Sequence, residues 1–240
     1  MVQHGKFYKD PYEKKLRYQI FKENVKHIEA FNKAENKPYK LGINQFGDLT
    51  NEEFKSRNKF KGHMCFTITR TPTFKYEHVS AVPVSLTEGS CHTHQEPRPM
   101  WYVLAFDDYL NFSSVDGTCY ANAEANHAAS INGYEDVPAN SESALLKAVA
   151  NQPVYVAIDA SGFEFQFYSS GVFTGSCGTS LDHGVTAWGY GVSDDGTKYW
   201  LVKNSWGTEW GEQGYIRMQR GVAAKEGLCG IAMQASYPTA

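Results

Sequence analysis

The chain has 240 residues, 42% hydrophobic, 14% aromatic and 20% charged, a soluble globular composition large enough to bury a sizeable core in one or two domains. No run approaches the roughly eighteen apolar residues that cross a bilayer, and Met1-Val2-Gln3-His4-Gly5-Lys6 is too polar for a signal peptide, so the chain as written reads as cytosolic with no membrane partner. The net charge of −3 conceals a division, with sixteen Lys and Arg against nine Asp and Glu in residues 1–81 and seven against seventeen in 82–240, which predicts docking of one half on the other instead of nucleic-acid binding.

Pro11 to about Asn32 reads as a helix, since Pro11 suits a first turn and no glycine intervenes before Gly42. Glu13, Arg17, Phe21, Asn24, Ile28 and Asn32 follow at steps of 4, 4, 3, 4 and 4 and so share one stripe. By itself the stripe says only that an amphipathic helix packs on something. In Lys40 to Leu49, Gly42, Asn44, Phe46 and Asp48 alternate with the rest at period two, which is strand-like. Thr50-Asn51-Glu52-Glu53-Phe54 has the look of a capped start to a short helix, and Lys59 to Pro83 is a polar, proline-bearing linker.

From Val115 onward the pattern turns to short strands. Residues 154–158, 163–167, 184–188, 199–203 and 215–218 are aromatic or β-branched runs between Gly and Asp turns. One helix, Ser141 to about Asn151, precedes them, opened by Ser141 and stopped by Pro153. This spacing predicts an antiparallel barrel.

Two places carry candidate chemistry. His183 sits among glycine and small residues in Leu181-Asp182-His183-Gly184, and a lone histidine there serves equally well as a core polar group. Asn204 follows an apolar strand and precedes Trp206, Trp210 and several glycines, an unusual setting for an amide. A histidine that shuttles a proton and an amide that orients it are two of the three parts of thiol catalysis. Five cysteines, Cys65, Cys91, Cys119, Cys177 and Cys229, leave at least one unpaired. Cys91 lies in Gly89-Ser90-Cys91-His92-Thr93-His94; Cys91, His92 and His94 are too close in sequence to share one tetrahedral zinc, so no metal and no cofactor is expected.

The stripe Glu13, Arg17, Phe21, Asn24, Ile28 and Asn32 matches the ERFNIN pattern of cathepsin L-type propeptides, and Gly42, Asn44, Phe46 and Asp48 match the second propeptide signature. The Asn204 to Gly211 run, with Gly214 and Tyr215, is similar to the right-hand domain of papain-like enzymes. The chain therefore resembles the papain-like cysteine protease family, in particular plant senescence-type precursors of the cathepsin L type. The resemblance implies an α+β fold: a small helical prosegment domain at 1–58, a linker at 59–83, an unmatched segment at 84–114, and at 115–240 the right-hand antiparallel barrel, with the left-hand helical half largely absent. It gives His183 the place of the base, Asn204 that of its orienter and Trp206 that of a shield, with Leu181, Ala157 and Gly184 walling a pocket for an apolar substrate side chain. Trp188 departs from the family, where a smaller residue stands, and is expected to disturb the barrel core.

The same resemblance pairs Cys177 with Cys229 and leaves Cys119 without its partner. It implies peptide or protein substrates, intact papain-like proteases as possible targets of the prosegment, and a vacuolar, lysosomal or extracellular location, where the Asn111-Phe112-Ser113 sequon would matter. One part is missing. The family's nucleophile precedes Trp-Ala-Phe and follows a glutamine by six residues, whereas no Trp-Ala-Phe follows Cys91 and position 85 is serine. An unpaired, solvent-facing Cys91 and an impaired or inactive enzyme are expected.

Overall fold

Asp10 and Pro11 begin the first helix as the sequence requires: the Asp10 carboxylate accepts from the amides of Tyr12 and Glu13, and proline occupies the first turn. The computed structural model describes residues 6–34, 37–58, 74–86 and 132–239. Expectations that fall on Cys65, Cys91, Cys119, the sequon at Asn111 and most of the unmatched segment lie outside these residues.

Helix α1, Pro11–Lys33, turns its stripe onto the chain that returns beneath it. Asn24 Nδ2 donates to the carbonyls of Gly47 (3.0 Å) and Leu49 (2.9 Å), and Asn32 exchanges two hydrogen bonds with the backbone of Leu41. Arg17, 3.9 Å from Glu13, reaches both Glu53 oxygens at 2.8 Å and the Asp48 carbonyl at 3.2 Å. Ile28 is buried and the Phe21 ring borders Gly47. A stripe of amides and one guanidinium thus satisfies backbone groups that would otherwise be buried unpaired.

The expected strand over Lys40 to Leu49 is formed only at its first two residues. Strand β1 is only Tyr39–Leu41, and the signature that follows is a chain of turns, with Gly47 N donating to Asn44 O and Leu49 N to Phe46 O. The period-two pattern arose because Asn44 bonds its own backbone, accepting from Phe46 N at 3.0 Å, which is turn chemistry. Helix α2, Asn51–Asn58, follows, and Thr50 and Glu53 form a reciprocal cap: Thr50 Oγ1 accepts from Glu53 N while Glu53 Oε2 accepts from Thr50 N.

In the second half come β2 (Gly133–Asp136), α3 (Glu142–Val149, capped by Ser141), β3 (Val154–Ile158), α4 (Phe163–Gln166), β4 (Tyr168–Phe173), β5 (His183–Val192), β6 (Lys198–Lys203), β7 (Tyr215–Gln219), a 3-10 turn (Leu228–Gly230) and β8 (Ala235–Thr239). Residues 163–167 form a helical turn, not the expected strand: Phe165, Gln166 and Phe167 are all buried, so no outward face exists for a strand to present. The eight strands order as β1-β4-β7-β6-β5-β3-β8-β2. Every pairing is antiparallel except β4 with β7, which is parallel and corrects the wholly antiparallel expectation. The architecture is α+β, with a large sheet and, among the described residues, few helices beside it.

The core is aromatic: Trp200, Trp210, Tyr168, Tyr190, Tyr237, Phe165, Phe167 and Phe173 are fully buried. Trp188 does not disturb it. Its side chain is on the outward side of β5, at the bulge between Ala187 and Gly189, with the Lys203 ammonium 6.0 Å from its ring.

The two halves are joined chiefly by amides and rings. β1 extends the sheet beside β4, Gly42 N donates to Phe167 O and Asn44 Nδ2 to Gln166 O (both 2.8 Å), Asn51 Nδ2 donates to Ser161 O and Gln166 Oε1, and Tyr39 OH donates to Glu164 at 2.5 Å. The ion pairs Lys6–Asp48, Arg17–Glu53 and Lys55–Glu52 lie within the first half and Arg217–Glu212 within the second. Among the described residues no helix is long and apolar enough to cross a membrane.

Candidate active site

His183 is the first residue of β5 and pairs with Ile158 of β3. Asn204 opens the loop after β6, its amide nitrogen donating to Gly214 O at 2.9 Å. Because β5 and β6 are hydrogen-bonded neighbours, these residues, 21 apart in sequence, meet in space: the His183 Nε2 to Asn204 Oδ1 distance is 2.9 Å. The amide of Ser205 donates to the same oxygen at 2.8 Å, which fixes the Asn204 side chain with Oδ1 toward the ring. An amide oxygen only accepts, so Nε2 carries the hydrogen and Nδ1 keeps its lone pair.

Trp206 stacks on this ring, centroids 4.7 Å apart at 23°. His183 and Trp206 are each 8% exposed and Asn204 5%. Burial pushes the imidazole below its ordinary pKa, and the hydrogen bond to Asn204 partly offsets that. The result is a neutral imidazole held in one tautomer, able to take a proton at Nδ1. Next to it, Asp182 accepts from Ala160 N at 2.8 Å, and burial raises its carboxyl.

Of the residues expected to wall a pocket, two are cross-strand partners. Ala157 is the cross-strand partner of Gly184, one step from His183, and Leu181 packs against Gly230. Cys177 and Cys229 are joined by a disulfide with Cα atoms 5.0 Å apart, in the chain that borders Asp159. Among the described residues no group of three His, Cys, Asp or Glu side chains is placed to hold a metal.

Of the further residues around Trp206, Phe46 alone was given a role from the sequence, as part of the propeptide signature. Phe46 and Phe54 of the first half and Phe165 and Trp210 of the second set their rings at 5.0 to 5.8 Å from Trp206, all near perpendicular. Gln45 Nε2 donates to Trp206 O at 2.5 Å. Gln45 and Phe54 flank residues of the propeptide signature, and that position was their only signal.

Two helices lie beside a mixed sheet, and at the junction a histidine is held by an amide under a stacked tryptophan. The model of the papain family cysteine protease matches residues 69–239, and that of the cathepsin propeptide inhibitor domain (I29) matches residues 1–54. The chain belongs to the papain family of cysteine proteases, whose members act on peptide and protein substrates, and it carries the inhibitory prosegment. It is similar to vignain of Ricinus communis, 45% identical over 291 positions that take in 95% of this chain and 81% of the relative. It is also similar to the senescence-specific cysteine protease SAG39 of Oryza sativa subsp. indica, 44% identical over 302 positions that take in all of this chain and 88% of the relative. Since the chain has 240 residues, 302 less 240 leaves at least 62 positions of that alignment without a counterpart here. Among solved structures, a recombinant stem bromelain precursor matches at 38% identity and a TM-score of 0.80, covering 100% of this chain and 96% of that one.

Proposed function

We propose that this chain is a papain-type peptidase relative that retains the base, its orienter and its shield but does not itself hydrolyse peptides. His183 is the base, Asn204 fixes its tautomer, Trp206 keeps water from the pair, and Leu181, Ala157 and Gly184 wall the pocket for an apolar substrate side chain. The observation that carries the reading is the 2.9 Å contact between His183 Nε2 and Asn204 Oδ1 under a stacked indole, an arrangement that leaves Nδ1 to serve a thiol. No stretch of the sequence supplies a cysteine followed by Trp-Ala-Phe and preceded at six residues by a glutamine. Loss of the nucleophile alone from a comparable serine triad costs about a million-fold in turnover.

A thiol-directed peptidyl epoxide tests this. No adduct and no peptide hydrolysis are expected, before or after removal of residues 1–81. An adduct on Cys91 that vanishes in His183→Ala would show the chain to be a working enzyme.

A second reading is supported by the chemistry of the junction. The prosegment binds mostly main-chain atoms of the sheet half, the carbonyls of Ser161, Gln166, Phe167 and Trp206. Carbonyls carry no side-chain identity, so the same segment suits intact relatives as an inhibitor. Residues 1–83 at micromolar concentration should then slow a cathepsin L-type enzyme, and unchanged turnover removes the idea.

A further inference from the structure

Gly184 forms one wall of the proposed pocket, and the space beside it is already taken. A Cβ at position 184 would stand 2.5 Å from Tyr155 Oη, 2.8 Å from Cε2 and 3.0 Å from Cζ, so the phenol of Tyr155 occupies the volume that a side chain at 184 would fill. Tyr155 precedes Ala157 by two residues on β3 and therefore shares its face of the sheet. Its backbone is the partner of Thr186, so the ring leans diagonally along the sheet toward Gly184. The side chain is also accessible: Tyr155 is 46% exposed, whereas its neighbours Val154 and Val156 are 0%.

We propose that Tyr155 is the specificity-determining residue of this pocket, narrowing it so that it takes a short aliphatic or hydroxyl side chain (Ala, Val or Thr) and turns away Leu and Phe. The proposal rests on the reading of Leu181, Ala157 and Gly184 as pocket walls and deepens it. Glycine at 184 and tyrosine at 155 act as one unit: the absence of a Cβ at 184 admits the ring, and the ring replaces the small wall a Cβ would make with a rigid aromatic edge. The ring is planar, and its outer atoms lie over Gly184. A ligand side chain longer than the remaining depth must therefore stay outside. One methylene that finds or loses its place in an apolar pocket is worth about 10- to 200-fold in selectivity.

The test uses the full chain and four pentapeptide amides that differ only at one central residue, Ala, Val, Leu or Phe, with binding followed by ligand-detected NMR. The chain is expected to bind the Val peptide at least about tenfold more tightly than the Phe peptide. Tyr155→Ser should open the pocket and reverse the order, and Tyr155→Phe, which keeps the ring, should leave it unchanged. Because position 155 is a half-exposed strand site, matching circular dichroism spectra will show that both variants fold. An order that is the same in Tyr155→Ser as in the parent overturns the role of Tyr155 while leaving the pocket standing. Failure of all four peptides to bind the parent and both variants overturns the pocket reading and this proposal with it.

Discussion

Gly171 offers a way to separate docking of the prosegment from folding of the sheet. Its φ is +90°, and it is the pairing partner of Tyr39 across the β1–β4 junction. A Cβ there would lie 2.3 Å from Pro38 O and 2.7 Å from Tyr39 Cα. Both are backbone atoms, which cannot rotate aside. Gly171→Ala therefore has two costs. The left-handed conformation costs a non-glycine residue about 1–2 kcal/mol whether or not the prosegment is seated. The clash adds about 1–3 kcal/mol, the usual range for overpacking, and only while β1 is paired. Separation of β1 also gives up the bond from Val172 N to Pro38 O, about 1 kcal/mol net. Gly196→Ala is the control, since φ there is +85° and nothing lies within 4 Å of its added Cβ. It bears the first cost without the second. Urea midpoints should fall in both variants, but release of residues 1–58 by an added protease should accelerate only in Gly171→Ala. At about 1.4 kcal/mol per decade, the clash alone corresponds to roughly 5- to 150-fold weaker docking. Equal release rates from the two variants would refute the assignment of β1 as the edge strand of the sheet.

Phe54→Ala removes a fully buried ring packed near-perpendicular to Trp206 and should destabilise the protein by about 3–5 kcal/mol, with a red shift of tryptophan emission; an unchanged spectrum would place Phe54 elsewhere. Reduction of Cys177–Cys229 opens a link across 52 residues and should cost about 4 kcal/mol by loop entropy, read as a lower urea midpoint in reductant. His183 is held neutral by burial, so below pH 6.5 the unfolded chain binds a proton that the folded chain refuses. Its contribution is present above pH 6.5 and is lost as pH falls, by up to about 1.4 kcal/mol per pH unit. His183→Gln should flatten the stability curve between pH 6.5 and 5, and parallel curves would show that His183 is not the titrating group.

What the sequence made legible follows from what each element does. Helix α1 was foreseen to within a residue because most members of its stripe pack on or bond the chain from Leu41 to Leu49, and a task repeated at 3.6 residues leaves a period. Helix α3 was legible from Ser141 and Pro153 at its ends. Residues 42–48 and 163–167 misled because alternation there reports side chains bonding their own backbone or a fully enclosed turn, not the two faces of a sheet. β2, β4 and β8 escaped notice because glycine, proline and charged residues dilute their pattern, and only pairing makes them strands. The site was legible only through resemblance. Nothing local in Asp182-His183-Gly184 or Lys203-Asn204-Ser205 says that the two side chains touch; the β5–β6 register does. Tyr155 was readable as a strand residue, but its lean over Gly184 depends on a neighbour 29 positions away.

The aromatic group around Trp206 joins the two halves of the chain in one physical event. One face of the indole rests on His183, and its edges receive Phe46 and Phe54 from the prosegment and Phe165 and Trp210 from the sheet. The prosegment rings and the histidine are therefore packed against the same indole. An imidazole under a dry indole is a weaker base than one under a wet indole, because desolvation disfavours its charged form. Burial is also what holds the His183 imidazole below its ordinary pKa. The Gln45 bond to Trp206 O anchors the loop that carries both Trp206 and Asn204, so the orienter is held by the same contact.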